Sequence, residues 1–213
     1  MLTVHHLGIS QSDRIVWLCE ELELPYRLIR YERDPVTQLA PPAYRALHPF
    51  GTAPVISDGD RVLGESGAII EYMIAKHGGG RLAVRADEPE FADYLFWFHF
   101  ANGSFMPSCM ADLIAQRLEG AASTGFVHAL RARSNRAFEM VERRLESSEY
   151  FAGGRFTAAD IIMFFPLTTM RAFAPRDLSA SPHTRAYLER IGARPAYRRA
   201  MAKADPGFKP PLE

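Results

Sequence analysis

Two pairs of residues in this 213-residue chain have the types and spacing that chemistry needs. Glu65-Ser66 opens a helical pattern: a carboxylate that can hold an ammonium group precedes a hydroxyl set among outward-facing backbone N–H groups, which attract an anion. Ala53-Pro54 comes shortly before it, at the mouth of the apolar run Val55-Ile56. Proline has no N–H to give a ladder, so Pro54 marks a strand start, an edge or a cis bend, and the backbone of Ala53 is left free to pair with something else. One peptide-like ligand lying across both pairs accounts for them together. The plainer reading, a Ser N-cap beside a solvated Glu, stays open on this spacing alone.

The surrounding elements must place these pairs. Met1 to Leu7 alternates as a strand and enters a loop at Gly8-Ile9-Ser10. From Asp13, Ile15, Val16, Leu18, Cys19, Leu22 and Leu24 recur at helical intervals with Glu20, Glu21 and Glu23 on the other side, until Pro25. Tyr26 to Tyr31 reads as a second strand, giving a βαβ unit with parallel strands. A turn at Asp58-Gly59-Asp60 and the run Arg61-Val62-Leu63 lead to a helix over Ser66 to Lys76, closed by Gly78-Gly79-Gly80.

Beyond Glu88 strand alternation gives way to helical patterns over Pro89 to Phe105, Leu113 to Arg117, Gly125 to Leu145, Thr157 to Phe173 and Ser181 to Ala204. This places a first domain over residues 1–80, a linker over 81–87 and an all-helical domain over 88–213. Thr157-Ala158-Ala159-Asp160 has the form of a capping box, and the apolar run after it predicts a buried core helix bent at Pro166.

Composition narrows the function. The 25 basic and 25 acidic residues cancel, which argues against a polyanionic partner, and the arginines of 131–144 and 194–199 read as solvated helix faces. Cys19 and Cys109 form no CxxC pair or metal-ligand spacing, so no metal is expected and a reducing compartment is. No apolar segment reaches the roughly 18–20 residues of a membrane span, and the N-terminus lacks a signal-peptide pattern. A cytoplasmic location is the expectation.

A β-rich domain with a strand-to-proline loop and a Glu-Ser helix start, followed by a helical domain with a capping box, resembles the cytosolic glutathione transferases. The pieces that carry the resemblance span the chain: Ser10 to Arg14, His48 to Val55, Glu65 to Ile69, Thr157 to Asp160, and Arg194-Pro195-Ala196-Tyr197. The resemblance implies an α/β thioredoxin-like N-terminal domain and an all-α C-terminal helical bundle. It also implies glutathione as cosubstrate, with Glu65 on the γ-glutamyl ammonium, Ser66 on its carboxylate, and Thr52, Ala53 and Pro54 along the cysteinyl and glycyl part. Ala53 would pair its backbone with the cysteinyl unit, before a cis Pro54. Ser10 becomes the catalytic hydroxyl that stabilises the glutathione thiolate, with Ser12 as its competitor.

The resemblance places the electrophile between the domains, with Phe105, Met106, Met110 and Phe208 as candidates. It implies a homodimer that adds glutathione to small hydrophobic electrophiles in detoxification, with no nucleic-acid or membrane partner. A glutathione-dependent isomerase, peroxidase or dehalogenase, or a non-catalytic binding protein on the same scaffold, is the alternative. Two positions depart from the family pattern: His48 stands where many members carry Asn or Gln, and Thr52 where many carry a longer basic side chain.

Overall fold

A computed structural model describes residues 1–117 and 125–213. The chain divides into two compact units, one of residues 1–83 with 191–210, the other of residues 84–190 with 211–213. The helical domain expected over 88–213 therefore loses its residues 191–210 to the first unit.

In the first unit, β1 (Leu2–Leu7) lies parallel to β2 (Arg27–Tyr31) and antiparallel to β3 (Val55–Asp58), which pairs antiparallel with β4 (Arg61–Gly64); the sheet order is β2-β1-β3-β4. The parallel pair is joined by α1 (Asp13–Glu21), as βαβ connectivity requires. A short α2 (Pro42–Arg45) precedes β3, and α3 (Ser66–Lys76) follows β4.

α1 is buried on nearly every side, because α9 (Pro195–Ala204) packs along it. Trp17 meets Tyr197 edge-on at 5.1 Å, Arg194 grips Glu21, and Arg199 and Lys203 hold Glu20. Arg194 and Arg199 are thus partners of buried acids rather than a solvated face, and the glutamates of α1 face the last helix rather than water. The helix expected over Ser181 to Ala204 is two, α8 (Pro182–Gly192) and α9. Arg194 is extended at φ −62°, ψ 128°, as the residue before a proline prefers, and Pro195 opens α9 where its missing N–H has no bond to lose.

In the helical unit, α4 (Phe91–Phe100) passes through a π-helical turn, Ala101–Phe105, into α5 (Met106–Arg117). The gap expected between Phe105 and Leu113 is thus helical. The wide turn lies just before Pro107, where a proline breaks the i→i−4 ladder. α6 (Gly125–Ser147) follows, then α7 (Ala158–Leu167), all of whose residues are buried. The box at its start is formed: Asp160 accepts the amides of Thr157 at 2.8 Å and Phe151 at 3.0 Å, and the Tyr187 hydroxyl at 3.2 Å. Burial pushes the Asp160 carboxyl up to about 6 against those donors. α7 ends one residue after Pro166, and a 3₁₀ turn over Thr169–Ala172 replaces the rest of the expected helix.

Candidate functional site

Sheet register gathers three chain segments at one end of the first unit. His5 stands opposite Val55, and Val55 opposite Gly64. The loop leaving β1, the residues entering β3 and those passing from β4 into α3 therefore share that end, which brings together Ser10, Ala53-Pro54 and Glu65-Ser66. The Ala53–Pro54 bond is cis. Pro54 is buried, while Ala53 is half-buried beside the cluster of Leu7, Tyr44 and Val55 and lies outside the ladder that begins at Val55.

Glu65 is exposed and holds φ 69°, ψ 120°, a region unfavourable for any residue with a Cβ. Ser66 is buried and opens α3, whose first backbone bond runs from the Ile69 amide to the Glu65 carbonyl. The amides of Ser66, Gly67 and Ala68 precede that bond and present the positive end of the helix dipole. Behind Ser66 sits Gln11, whose Oε1 is 3.5 Å from the Ser66 hydroxyl and 3.4 Å from Nη1 of Arg14. Arg14 is fully buried, and burial lowers it to about 10, still a cation at neutral pH. Gln11 Oε1 thus links the Ser66 hydroxyl to the Arg14 cation. Gln11 lies in the turn before α1, where no helical periodicity marks it.

The two candidate serines touch. Ser10 Oγ donates to the Leu7 carbonyl at 2.6 Å and lies 2.8 Å from Ser12 Oγ. Ser12 does not cap α1 with its side chain. Its hydroxyl accepts the Leu7 amide at 3.1 Å and lies 2.8 Å from His6 Nδ1.

Thr52 is exposed. His48 lays its ring against Gly64, the residue before Glu65: a methyl group there would come within 3.2 Å of His48 Cε1. Gly51 takes φ 68°, and the stem of Arg45 passes it, 3.6 Å from where a Cβ would stand, beside Thr52. An arginine absent from the sequence reading is thus adjacent to the position where a long basic residue is missing.

Residues 10–76 match the family model of the glutathione S-transferase N-terminal domain, and residues 113–195 that of the C-terminal domain. The chain is 34% identical to Glutathione S-transferase 3 of Schizosaccharomyces pombe, over 96% of this chain and 88% of the relative. The chain belongs to the glutathione S-transferase family. A crystal structure of a glutathione S-transferase from Actinobacillus pleuropneumoniae superposes with a TM-score of 0.89 at 31% identity, covering 97% of this chain and 95% of that one. A theta class glutathione S-transferase from Xanthomonas axonopodis pv. citri, solved with glutathione bound, gives 0.71 at 26% identity, covering 93% and 96%.

For this glutathione S-transferase the four residues nominated for the electrophile fare differently. Phe105 is fully buried, packed on Phe138 with ring centroids 4.9 Å apart, and offers no surface to a ligand. A fully apolar residue at the inner face of the π-helical turn packs into the core, which corrects the expectation for it. Met106 is half-buried and Met110 exposed on α5; Phe208 is half-buried in the first unit. The helical unit has its own cavity of about 280 Å³, lined by Asp112, Leu113, Arg131, Pro166, Met170 and Arg176 among others. The Arg176 guanidinium stacks on Phe138 at 4.5 Å and donates to Asn135 Oδ1 at 2.6 Å. Among the described residues no His, Cys, Asp and Glu cluster could hold a metal ion, and no helix is long and apolar enough to cross a membrane.

Proposed function

We propose that this glutathione transferase binds glutathione along the end of the first unit's sheet and adds its thiolate to an electrophilic carbon. The observation that carries the reading is the meeting of the cis Ala53–Pro54 bond, the Glu65-Ser66 helix start and the Ser10 loop at one place. Glutathione offers a matching series of groups. Its γ-glutamyl carboxylate goes to the Ser66 hydroxyl and the amides at the start of α3, its ammonium to Glu65, and its cysteinyl backbone to Ala53 as an added strand would pair. Its glycyl carboxylate goes to Arg45, with Thr52 too short to reach.

A free thiol titrates near 8.5, so it is mostly protonated at neutral pH. Ser10, turned from the Leu7 carbonyl, donates a hydrogen bond to sulfur and favours the charged form. The thiol proton leaves to solvent; the sulfur lone pair then forms the S–C bond as the leaving group departs with its electron pair, or as an enal accepts electrons and a proton. Electrophiles are held by the apolar surface of the helical unit, Met106 and Met110 included. The enzyme acts in the cytoplasm as a homodimer.

The test is an assay panel of glutathione with aryl halides, epoxides, enals and peroxides on wild type, S10A and R45A. Conjugation with at least one carbon electrophile, a higher glutathione KM in R45A and a raised thiol pKa in S10A are expected. Failure of glutathione to raise the melting temperature sinks the binding reading. Sedimentation velocity checks the dimer.

A further inference from the structure

The loop that carries Ser10 leaves β1 through a strained residue. Ile9 holds φ 47°, in the left-handed region, where the Cβ of an L-residue crowds the backbone and a branched side chain worsens the crowding. Such a conformation persists only where the surroundings over-determine it.

At Ile9 both peptide groups are gripped from outside the loop. Asp205, the C-cap residue of α9, accepts the Ile9 amide on Oδ1 at 2.9 Å. Arg33, two residues past β2, forks onto the same turn: Nη2 donates to the Ile9 carbonyl at 3.2 Å and Nε to the Gly8 carbonyl at 3.0 Å. The Gly8 amide donates to the Tyr31 carbonyl at 2.9 Å, so every backbone polar group of Gly8 and Ile9 is bonded to another part of the first unit. The two gripping side chains are themselves fixed. Asp205 is 1% exposed, with His6 Nε2 3.1 Å from Oδ2 and Arg30 Nη2 3.5 Å from Oδ1. Burial pushes its carboxyl up, but His6, the Ile9 amide and Arg30 outweigh burial and hold it below the ordinary carboxylate range. Arg33 makes a third bond, from Nη1 to the Gln38 carbonyl at 2.9 Å.

Ser10 follows Ile9 directly. Its hydroxyl is tied locally, donating to the Leu7 carbonyl at 2.6 Å and lying 2.8 Å from Ser12 Oγ and 3.3 Å from the Ser12 amide. The course of the backbone that brings this hydroxyl to the sheet end is decided one residue earlier, because the sign of the Ile9 φ sets the side to which the chain turns out of β1. Among the described residues neither Asp205 nor Arg33 is bonded to Ala53, Pro54, Glu65 or Ser66, so their effect on the site passes through Ile9.

We propose that Asp205 and Arg33 are positioning residues of the transferase reaction: they hold Ile9 in its left-handed conformation, and that conformation presents the Ser10 hydroxyl to glutathione sulfur. This rests on Ser10 as the thiolate-stabilising hydroxyl. Both residues act through the backbone and not on substrate.

The test is a pair of double-mutant cycles, position 9 against 205 and position 9 against 33. Glutathione KM, kcat and the pKa of bound thiol, read from thiolate absorbance in the ultraviolet, are measured in wild type, I9G, D205A, I9G/D205A, R33A, I9G/R33A and S10A. Without its grip the isoleucine leaves the left-handed region, which is disfavoured about 10-fold for a residue with a Cβ, whereas glycine takes either sign of φ about equally. D205A therefore raises the bound thiol pKa by about one unit and lowers kcat near pH 6.5 about 10-fold, with glutathione KM within about 2-fold. The same change made in the I9G protein costs only about 2-fold. R33A follows the same pattern, and its cycle decides if D205A does not fold.

An equal loss in the presence and absence of I9G, or a loss carried by KM with the thiol pKa unmoved, marks a purely structural residue and overturns the proposal. If S10A raises the thiol pKa while the cycles are additive, the positioning role falls and the Ser10 reading stands. If S10A leaves the pKa unmoved, both fall.

Discussion

Arg194 holds Glu21 with two parallel bonds, Nε to Oε1 at 2.7 Å and Nη2 to Oε2 at 2.8 Å. The carboxylate side chain is 8% exposed and also accepts the Trp17 indole N–H at 2.9 Å. A residue just ahead of α9 thereby closes the C-terminal end of α1. R194A should destabilise the protein by about 1–3 kcal/mol, below the roughly 3–5 kcal/mol of a fully buried broken pair because the arginine is partly in water. R194K should not restore it, since an ammonium lacks the planar fork. Urea unfolding midpoints of the three proteins check both statements.

Glu65 combines the carboxylate proposed for the ligand ammonium with an unfavourable backbone. E65G should relieve a strain of order 1–3 kcal/mol, offset in part by the roughly 0.5–1 kcal/mol that glycine loses in entropy. The expected result is a melting temperature equal to or above wild type with glutathione affinity at least several-fold weaker. A clear fall in melting temperature would mean that Glu65 stabilises the fold rather than burdening it.

Asp58 accepts the Tyr72 hydroxyl at 2.9 Å and lies 3.0 Å from Lys76 Nζ and 2.8 Å from His77 Nε2, tying β3 to the end of α3. Its bonds to Lys76, then His77 and Tyr72, hold the carboxyl below the usual range. A depressed acid contributes stability that is complete above its unfolded value, about 3.9, and is lost as pH falls through the folded one. D58N should therefore be less stable at pH 7 and lose less on going from pH 5 to pH 2. Acid-unfolding curves followed by circular dichroism decide it.

How much of this was legible in the sequence depends on the range of the interaction. The strands of the first 80 residues and the helices α1 and α3 follow from alternation, 3.6-residue spacing and punctuation by Pro25, Pro54 and the glycines after His77, because those signals are local; the single turn of α2 is too short to leave such a pattern. The capping box at Thr157 and Asp160 is local too, and it formed as read. The arginines of 194–199 read as a solvated face, since a charge on a helix face normally is; the acids that Arg199 and Arg194 hold, Glu20 and Glu21, lie more than 170 positions away along the chain and leave no periodic trace. Ser12 escaped for a similar reason. Its spacing fits a cap, and only the fold reveals His6 as the competing partner. Arg45 came into view only when the bend at Gly51 laid its stem beside Thr52.

Cys19 and Cys109 are both buried, and burial pushes both thiols up, Cys109 to about 11. Neither has thiolate to offer near neutral pH. Ellman's reagent should titrate no thiol quickly in the native protein and both after unfolding, and C19A should keep turnover within about 2-fold of wild type. Rapid native labelling that abolishes activity would revive a mixed-disulfide mechanism.

The packing of α9 against α1 carries a further consequence for how the protein is made. The ribosome emits β1, α1 and the sheet first, at about 5–20 residues per second, then the whole helical unit, and only then residues 191–210. Until those residues emerge, the nascent first unit exposes Trp17 and the uncompensated carboxylates of Glu20 and Glu21, and His6 has no Asp205. The part of the chain that begins first is therefore the part that finishes last, and a ribosome stalled just short of Arg194 holds a chain with every described strand and no completed first unit.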